Sequence, residues 1–98
     1  MGWPVVLTPQ SRDDLKRIVS YIARHNPQRA RSFGNEPIDR ALAIGQFPEL
    51  GRAVPEVNDS AVREVIYGPY RIIYEIFQNP DAIYVLRFWH GARGVPPI

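Results

Sequence analysis

The spacing of apolar residues changes halfway along the chain, and this change limits the folds that the sequence can adopt. In the first half, apolar residues recur every three or four positions, as on one face of a helix, and the clearest such stripe is Leu15, Ile18, Val19 and Ile22. In the second half, β-branched and aromatic residues dominate three runs, at 62–67, 70–77 and 83–89. Helices followed by strands indicate an α+β protein.

The links between the three runs are too short for crossover connections. Gly68-Pro69 separates the first two runs and Asn79-Pro80-Asp81 the second two, so we predict hairpins and an antiparallel sheet in this region. A short apolar run at 5–7, ended by Pro9, predicts a first strand, and the segment 48–60 predicts a loop. The predicted order is β-αα-βββ, a helical hairpin packed on a small antiparallel sheet.

The middle run carries apolar residues on both of its faces. Ile72, Tyr74 and Ile76 alternate with Ile73 and Phe77. One face is expected to pack on the helices. The other is expected to meet a partner or to lie under the 48–60 loop.

The first helix has recognisable start signals. Thr8 or Ser11 is a suitable N-cap, and Asp13 and Asp14 are expected in the first turn, where the helix dipole favours carboxylates. Pro27 ends this helix and suits the first position of the next one.

The second helical segment, 28–45, contains two residues that disfavour a continuous helix. Gly34 lowers helix propensity by about 1 kcal/mol, and Pro37 costs about 3 kcal/mol in a helix interior. Asn35 is suited to cap a fresh start. We therefore predict an interruption between Gly34 and Pro37.

Length and residue content exclude several classes of protein. The 98 residues are expected to form one domain, 1–98, and no cysteine is present, which excludes disulfides and thiolate zinc sites. The two histidines, His25 and His90, are too few and too far apart to suggest a metal site, and no cofactor is expected.

No apolar stretch reaches the roughly 20 residues of a membrane span, and no basic leader precedes the first apolar run. The expected location is the cytoplasm.

The basic residues are almost all arginine. The formal net charge is +2, and Lys16 is the only lysine. Arginine binds carboxylates and phosphates through two parallel hydrogen bonds, so an acidic protein or a nucleic acid would suit such a surface. A compositional bias of the genome is the alternative explanation, and composition alone does not decide between them.

Motifs of common enzymes are absent from the sequence, which has no phosphate-binding glycine loop and no nucleophile elbow. A group of arginines and aromatic residues remains in the strand region. Cleavage of RNA at a 2′-hydroxyl needs a base, an acid and cations for the phosphate, and the candidates for these roles are Arg71, His90 and Arg93. The candidates for binding a partner or target are Arg63, Arg71, Arg87, Trp89 and Arg93.

Each of these residues also has a structural interpretation. Aromatic residues in strands are first of all core residues and cross-strand pairs. Arg71 is also placed to pair with Glu64 across the hairpin or with Glu75. His90 and Arg93 follow the last apolar position, so they are expected near a strand end that solvent reaches.

Four segments together resemble the RelE/ParE toxin family in their order and spacing. They are SRDDLKRIVSYIARHNPQRA, FPELGRAVPE, REVIYGPYRIIYEI and IYVLRFWHGAR, and the resemblance extends from Val5 to Arg93. Its most specific parts are 47–52, 70–74 and 90–93. The resemblance implies two helices packed on a small antiparallel sheet, as the residue patterns also predict.

The resemblance also implies a biological role and partners. It implies a growth-inhibiting toxin that a ParD-like antitoxin holds inactive, in an assembly that binds operator DNA only through the antitoxin. RelE-like members cut mRNA on the ribosome with several lysines and arginines and a terminal tyrosine, whereas ParE-like members act against DNA gyrase and are not known as nucleases. Arg71 matches an arginine of both branches.

This sequence departs from the RelE pattern, because its strand region has no lysine and no tyrosine follows Arg93. We therefore favour the ParE-like function, a gyrase inhibitor that is not an enzyme. Pro37 departs from the smooth second helix that the family suggests. A ribosome-dependent endoribonuclease and a non-toxic binding module of the same fold stay as alternatives.

Overall fold

The helices and strands of the protein follow the predicted order closely. A computed structural model describes residues 2–98. Its regular elements are β1 Val5–Leu7, α1 Pro9–His25, α2 Pro27–Phe33, α3 Asn35–Ala43, β2 Arg52–Ala53, β3 Val62–Tyr67, β4 Tyr70–Phe77 and β5 Ala82–His90, with short 3-10 turns at Ile44–Gln46 and Gly91–Arg93. Within residues 2–98, no helix is long and apolar enough to span a membrane.

The start of α1 is fixed by Thr8. Its hydroxyl oxygen accepts a hydrogen bond from the Ser11 backbone N–H (3.2 Å) and its hydroxyl donates to the Val85 carbonyl (2.7 Å), which confirms the predicted cap and ties the helix start to β5. The expectation that Asp13 and Asp14 lie in the first turn is wrong, because the helix begins at Pro9 and this turn holds no acidic residue. Asp14 instead lies one turn later and points into the protein, where it is 2% exposed.

The predicted interruption of the second helical segment is confirmed. One helix ends at Phe33 and the next begins at Asn35, with Gly34 between them in a right-handed helical conformation. Asn35 is the first residue of α3 and makes no capping hydrogen bond, so its expected role as a cap is wrong. Pro37 lies in the first turn of α3, where its missing N–H has no partner to lose.

The sheet has five strands in the order β1-β5-β4-β3-β2. The hairpins β3–β4 and β4–β5 are antiparallel, as predicted, but β1 pairs in parallel with β5, so the sheet is mixed. Short links between strands do not predict this pair, because nearly the whole chain lies between β1 and β5. The segment predicted as a loop also contributes β2, a two-residue edge strand.

Apolar residues are buried on both sides of the sheet. The side facing the helices holds Leu15, Ala41, Ile44, Val65, Ile72, Tyr74, Ile83, Val85 and Phe88. The opposite side, which we call the outer face, holds a smaller cluster of Val54, Val62, Ile73 and Trp89, with Val57 and Leu86 packed against it. Val54 and Val57 belong to the 48–60 segment, so this segment covers part of the outer face. This was one of the two alternatives expected for this face, the other being contact with a partner.

The FPELG segment is held by a fully buried tyrosine. The Tyr74 hydroxyl donates to the Pro48 carbonyl (2.7 Å) and accepts from the Gly51 N–H (3.0 Å). A Cβ atom at Gly51 would lie 2.5 Å from the Tyr74 hydroxyl oxygen and 2.6 Å from the Glu64 carbonyl oxygen. Only glycine therefore fits at position 51, where the backbone lies close to Tyr74 and β3.

A buried ion pair joins α1 to β5 where β1 ends. The Arg87 Nε and Nη2 atoms each donate to one carboxylate oxygen of Asp14 at 2.7 Å, and the Phe88 backbone N–H donates to the same carboxylate at 3.1 Å. The last residue of β1 is Leu7, which pairs with Val85, so β5 continues beyond the end of β1. The Phe88 N–H therefore has no strand to bond with on this edge, and the Asp14 carboxylate accepts its hydrogen bond instead.

We predict that Asp14→Asn lowers the free energy of unfolding by about 3–5 kcal/mol, because it leaves the Arg87 charge partly buried without a counterion. Chemical denaturation measures this value. The matched control is Asp13→Asn, which removes the same charge from the adjacent exposed position and should change stability by less than about 0.5 kcal/mol. Equal effects of the two substitutions would contradict the role assigned to the ion pair.

Candidate functional site

A groove of about 670 Å³ lies between α1 and the ends of β4 and β5. We call it the α1–β5 groove. Basic and aromatic side chains line most of it: Lys16, Arg17, Tyr21 and Arg24 from α1, and Tyr70, His90 and Arg93 from the sheet side. Ile18 and Ile22 provide apolar wall.

The helical repeat brings the α1 side chains to one wall of the groove. Arg17, Tyr21 and Arg24 are spaced by four and three positions, so they lie on one face of the helix. The opposite wall comes from a cross-strand pair, Tyr70 with His90, whose rings meet edge to face with centroids 5.2 Å apart. Burial raises the pKa of the Tyr70 hydroxyl, so this group stays protonated and can donate a hydrogen bond at neutral pH.

The charge of the α1–β5 groove is mostly uncompensated. Asp14 is the one acidic residue that lines it, and its carboxylate is already bound by Arg87. Within residues 2–98, neither Lys16 nor Arg24 forms a salt bridge, and Arg17 reaches only to 3.9 Å from Asp14. The groove therefore attracts a negatively charged partner.

A second cluster of charged residues lies on the outer face of the sheet. Glu64 is buried on β3, and its two carboxylate oxygens accept from Arg52 Nε (2.7 Å) and Arg71 Nε (2.5 Å). The other two nitrogens of Arg71 donate to the two oxygens of Glu56 at 3.0 and 2.7 Å. We call these four residues the outer-face ion network.

The pairing of Arg71 with Glu56 shifts the pKa values of both groups towards their charged forms. The hydrogen bond from Arg71 holds the pKa of the Glu56 carboxyl below its usual value, with burial opposing this shift. Hydrogen bonds to Glu56 and Glu64 raise the pKa of Arg71 further above its ordinary range. Both shifts favour the charged forms of Glu56 and Arg71, and the network pairs two arginines with two carboxylates.

Trp89 lies beside this network under two arginines. The Arg93 guanidinium lies 4.0 Å from its ring centroid and the Arg87 guanidinium 5.1 Å, both within cation–π range. The indole N–H donates to the Gly94 carbonyl at 3.1 Å. Arg93 also lines the α1–β5 groove, so it stands at the rim where the groove meets the outer face.

The residues proposed for RNA cleavage do not share one surface. Arg71 pairs with Trp89 across β4 and β5, whereas His90 pairs with Tyr70, so Arg71 and His90 lie on opposite faces of the sheet. His90 and Arg93 meet in the α1–β5 groove. His90 Nδ1 accepts from the Ala92 N–H (3.1 Å), which leaves Nε2 free for other contacts.

The candidate binding residues fall into one group and one outlier. Arg71, Arg87, Trp89 and Arg93 lie together at the outer face and its edge. Arg63 pairs with Tyr74 on the helix side, and its guanidinium donates to the Gly51 carbonyl at 3.0 Å. The structure thus gives Arg63 a role in holding the 49–51 segment.

The α1 side of the groove and the acidic partners Asp14 and Glu56 were not predicted from the sequence, whereas Glu64 was one of the two partners expected for Arg71. The spacing of Arg17, Tyr21 and Arg24 was a usable signal for the groove, since it marks a second face of the same helix. For Asp14 and Glu56 no local pattern was available, because each pairs with an arginine distant in the sequence. No group of three residues able to hold a metal ion occurs in the part of the chain that the structure describes.

Comparison with solved structures supports the predicted fold class. A chain of the chromosomal ParDE toxin–antitoxin system from P. aeruginosa matches with a TM-score of 0.75 and 16% identity, covering 90% of this chain and 95% of that chain. A chain of the RelBE toxin–antitoxin complex from Mycobacterium tuberculosis matches with a TM-score of 0.62 and 18% identity, covering 92% and 99%. At this level of identity the likeness establishes the fold, and the α+β prediction is confirmed.

Comparison of the sequence itself identifies the family. Curated protein sequences give no match. The family model described as the ParE toxin of the type II toxin–antitoxin system parDE matches residues 5–95. This range includes α1, all five strands and both surfaces described above, and the chain therefore belongs to the ParE toxin family of type II toxin–antitoxin systems.

Proposed function

We propose that this chain is a cytoplasmic toxin that inhibits DNA gyrase, that an antitoxin neutralises it, and that it does not cleave RNA. The matching family model is that of ParE, and gyrase inhibition is the activity that the resemblance implies for the ParE branch. Inhibition of an enzyme by binding needs a complementary surface but no set of converging catalytic groups.

The pairing of the arginines is the observation that carries this proposal. Metal-free cleavage of RNA requires an acid, a base and free cations around one phosphodiester. Arg52 and Arg71 are bound to Glu64 and Glu56, and Arg87 is bound to Asp14. In the free protein these arginines neutralise carboxylates of their own chain, so a phosphate would have to displace such a carboxylate before it could use their charge.

An acidic segment of the antitoxin is proposed to occupy the α1–β5 groove. One solved neighbour comes from a ParDE toxin–antitoxin system and the other from a RelBE toxin–antitoxin complex. The groove combines uncompensated basic residues with apolar side chains such as Ile18 and Tyr21. An amphipathic helix with acidic residues beside its apolar face matches both features.

RNA cleavage is kept as the second candidate because of one observation. His90, Arg93 and Tyr70 line the same groove, where they could contact a phosphate and a 2′-hydroxyl. Histidine has an ordinary pKa near 6.5, which suits proton transfer. In this alternative Arg71 takes no part, because it lies on the other face of the sheet.

For the antitoxin, we predict that Arg24→Glu weakens binding roughly tenfold or more, because it places a negative charge in the groove that receives an acidic segment. Isothermal titration calorimetry with the antitoxin encoded beside this chain measures the Kd. The matched control is Arg40→Glu, which makes the same change in the last turn of α3, outside the groove. Equal losses, or no co-elution of the co-expressed pair at micromolar concentration, would refute the proposed docking.

For the target, we predict that the purified protein inhibits supercoiling by gyrase and leaves translated mRNA intact. His90→Ala should keep this inhibition, because the proposal gives His90 no chemical role. Induced expression without the antitoxin should arrest growth, which a non-toxic binding module would not do. Ribosome-dependent mRNA cleavage that His90→Ala abolishes, together with unaffected supercoiling, would overturn the gyrase assignment in favour of the nuclease.

A further inference from the structure

Arg71 holds a carboxylate of its own chain in the manner in which arginine usually holds a carboxylate of a partner. Two nitrogens of its guanidinium face the two oxygens of Glu56 in parallel hydrogen bonds of 3.0 and 2.7 Å. The third nitrogen is taken by Glu64, which is completely buried and also bound by Arg52. Glu64 is therefore a fixed part of the network, whereas Glu56 lies at its surface.

The segment that carries Glu56 is anchored independently of that side chain. Val54 is 1% exposed in the outer-face cluster, and Val57 packs against the same cluster. The Val57 N–H donates to the Val54 carbonyl at 3.1 Å, which closes a turn around Glu56. The Glu56 side chain can therefore leave Arg71 by a change of rotamer, and the turn stays in place.

The charge balance indicates which ligand can replace Glu56. Without the Glu56 carboxylate, Arg52 and Arg71 face only Glu64, so the network carries one excess positive charge. One carboxylate restores the balance. A nucleic acid would bring several phosphates, whereas Arg87 on this surface is already paired with Asp14 and Arg93 beside Trp89 adds one further positive charge.

An exposed apolar side chain lies directly beside this position. Ile66 is the cross-strand partner of Arg71, so both side chains are on the outer face, and Ile66 is 47% exposed. A protein segment that places an acidic residue next to an apolar one would contact both. A free phosphate or a small carboxylate would leave Ile66 uncovered.

We propose that the Arg71 fork on the outer face is a binding site for a carboxylate of a protein partner, and that Glu56 occupies it in the free protein. The partner presents an aspartate or glutamate next to an apolar residue, and its carboxylate replaces that of Glu56 while Ile66 is covered. This site lies on the opposite side of the sheet from Tyr70 and His90. It does not depend on the identity of the target proposed above.

The test measures, by fluorescence anisotropy, the Kd of a labelled ten-residue peptide of alternating glutamate and leucine for the wild-type protein and for three variants. Glu56→Ala should bind the peptide roughly three- to tenfold more tightly than the wild type, since the competing internal carboxylate is gone. Asp39→Ala, which removes one negative charge from the exposed surface of α3, is the charge-matched control and should give no such gain. Adding Arg71→Met to Glu56→Ala should abolish the gain.

Four results would overturn the proposal. They are an unchanged Kd for Glu56→Ala, an equal gain for Asp39→Ala, an equal gain with a peptide in which glutamine replaces glutamate, and a larger gain with a ten-nucleotide single-stranded RNA. If the double variant does not fold, NMR of Glu56→Ala gives the same answer, because the peptide carboxylate must shift the signals of the Arg71 Nη–H groups that Glu56 holds in the wild type. No gyrase or antitoxin takes part, so failure here is distinct from failure of the proposed function.

Discussion

The carboxylate of Asp14 is the contact on which both surfaces of this protein depend. It is buried at the point where β1 ends, and it binds the Arg87 guanidinium and the Phe88 backbone N–H together. The contact joins α1 to β5, and these two elements form walls of the groove. It also holds Arg87 against the Trp89 ring on the outer face. One interaction thus connects a wall of the groove to an outer-face arginine.

The two surfaces differ in how their positive charge is balanced. On the outer face, Arg52 and Arg71 are matched with Glu56 and Glu64 of the same chain, so the charges of this network balance in the free protein. In the α1–β5 groove, basic side chains line an open cleft with little acidic compensation. An unbalanced groove favours fast association with an acidic segment. The proposed docking of an acidic antitoxin segment in the groove follows from this difference.

Local features of the fold could be predicted from the sequence, and long-range pairings could not. The bounds of β3 and β4, the Thr8 cap and the break at Gly34 depend on residues a few positions apart, and all agree with the structure. The parallel pairing of β1 with β5 and the ion pair of Asp14 with Arg87 join opposite ends of the chain, where periodicity and turn chemistry carry no information. At the candidate site, the pairing of Arg71 with Glu64 was anticipated because a tight hairpin joins their strands. The pairing with Glu56 was not, because its segment has no regular structure.

The central claim is that carboxylates of this chain already hold Arg71 and Arg87 in the free protein. Hydrogen exchange of the guanidinium Nε–H groups, followed by NMR at neutral pH, tests it most directly, with Arg40 as an exposed reference. We expect separate, slowly exchanging Nε–H signals for Arg71 and Arg87 that persist at high salt, because both are partly buried and bound to carboxylates. Exchange as fast as that of Arg40, or loss of the signals when salt is added, would contradict the account.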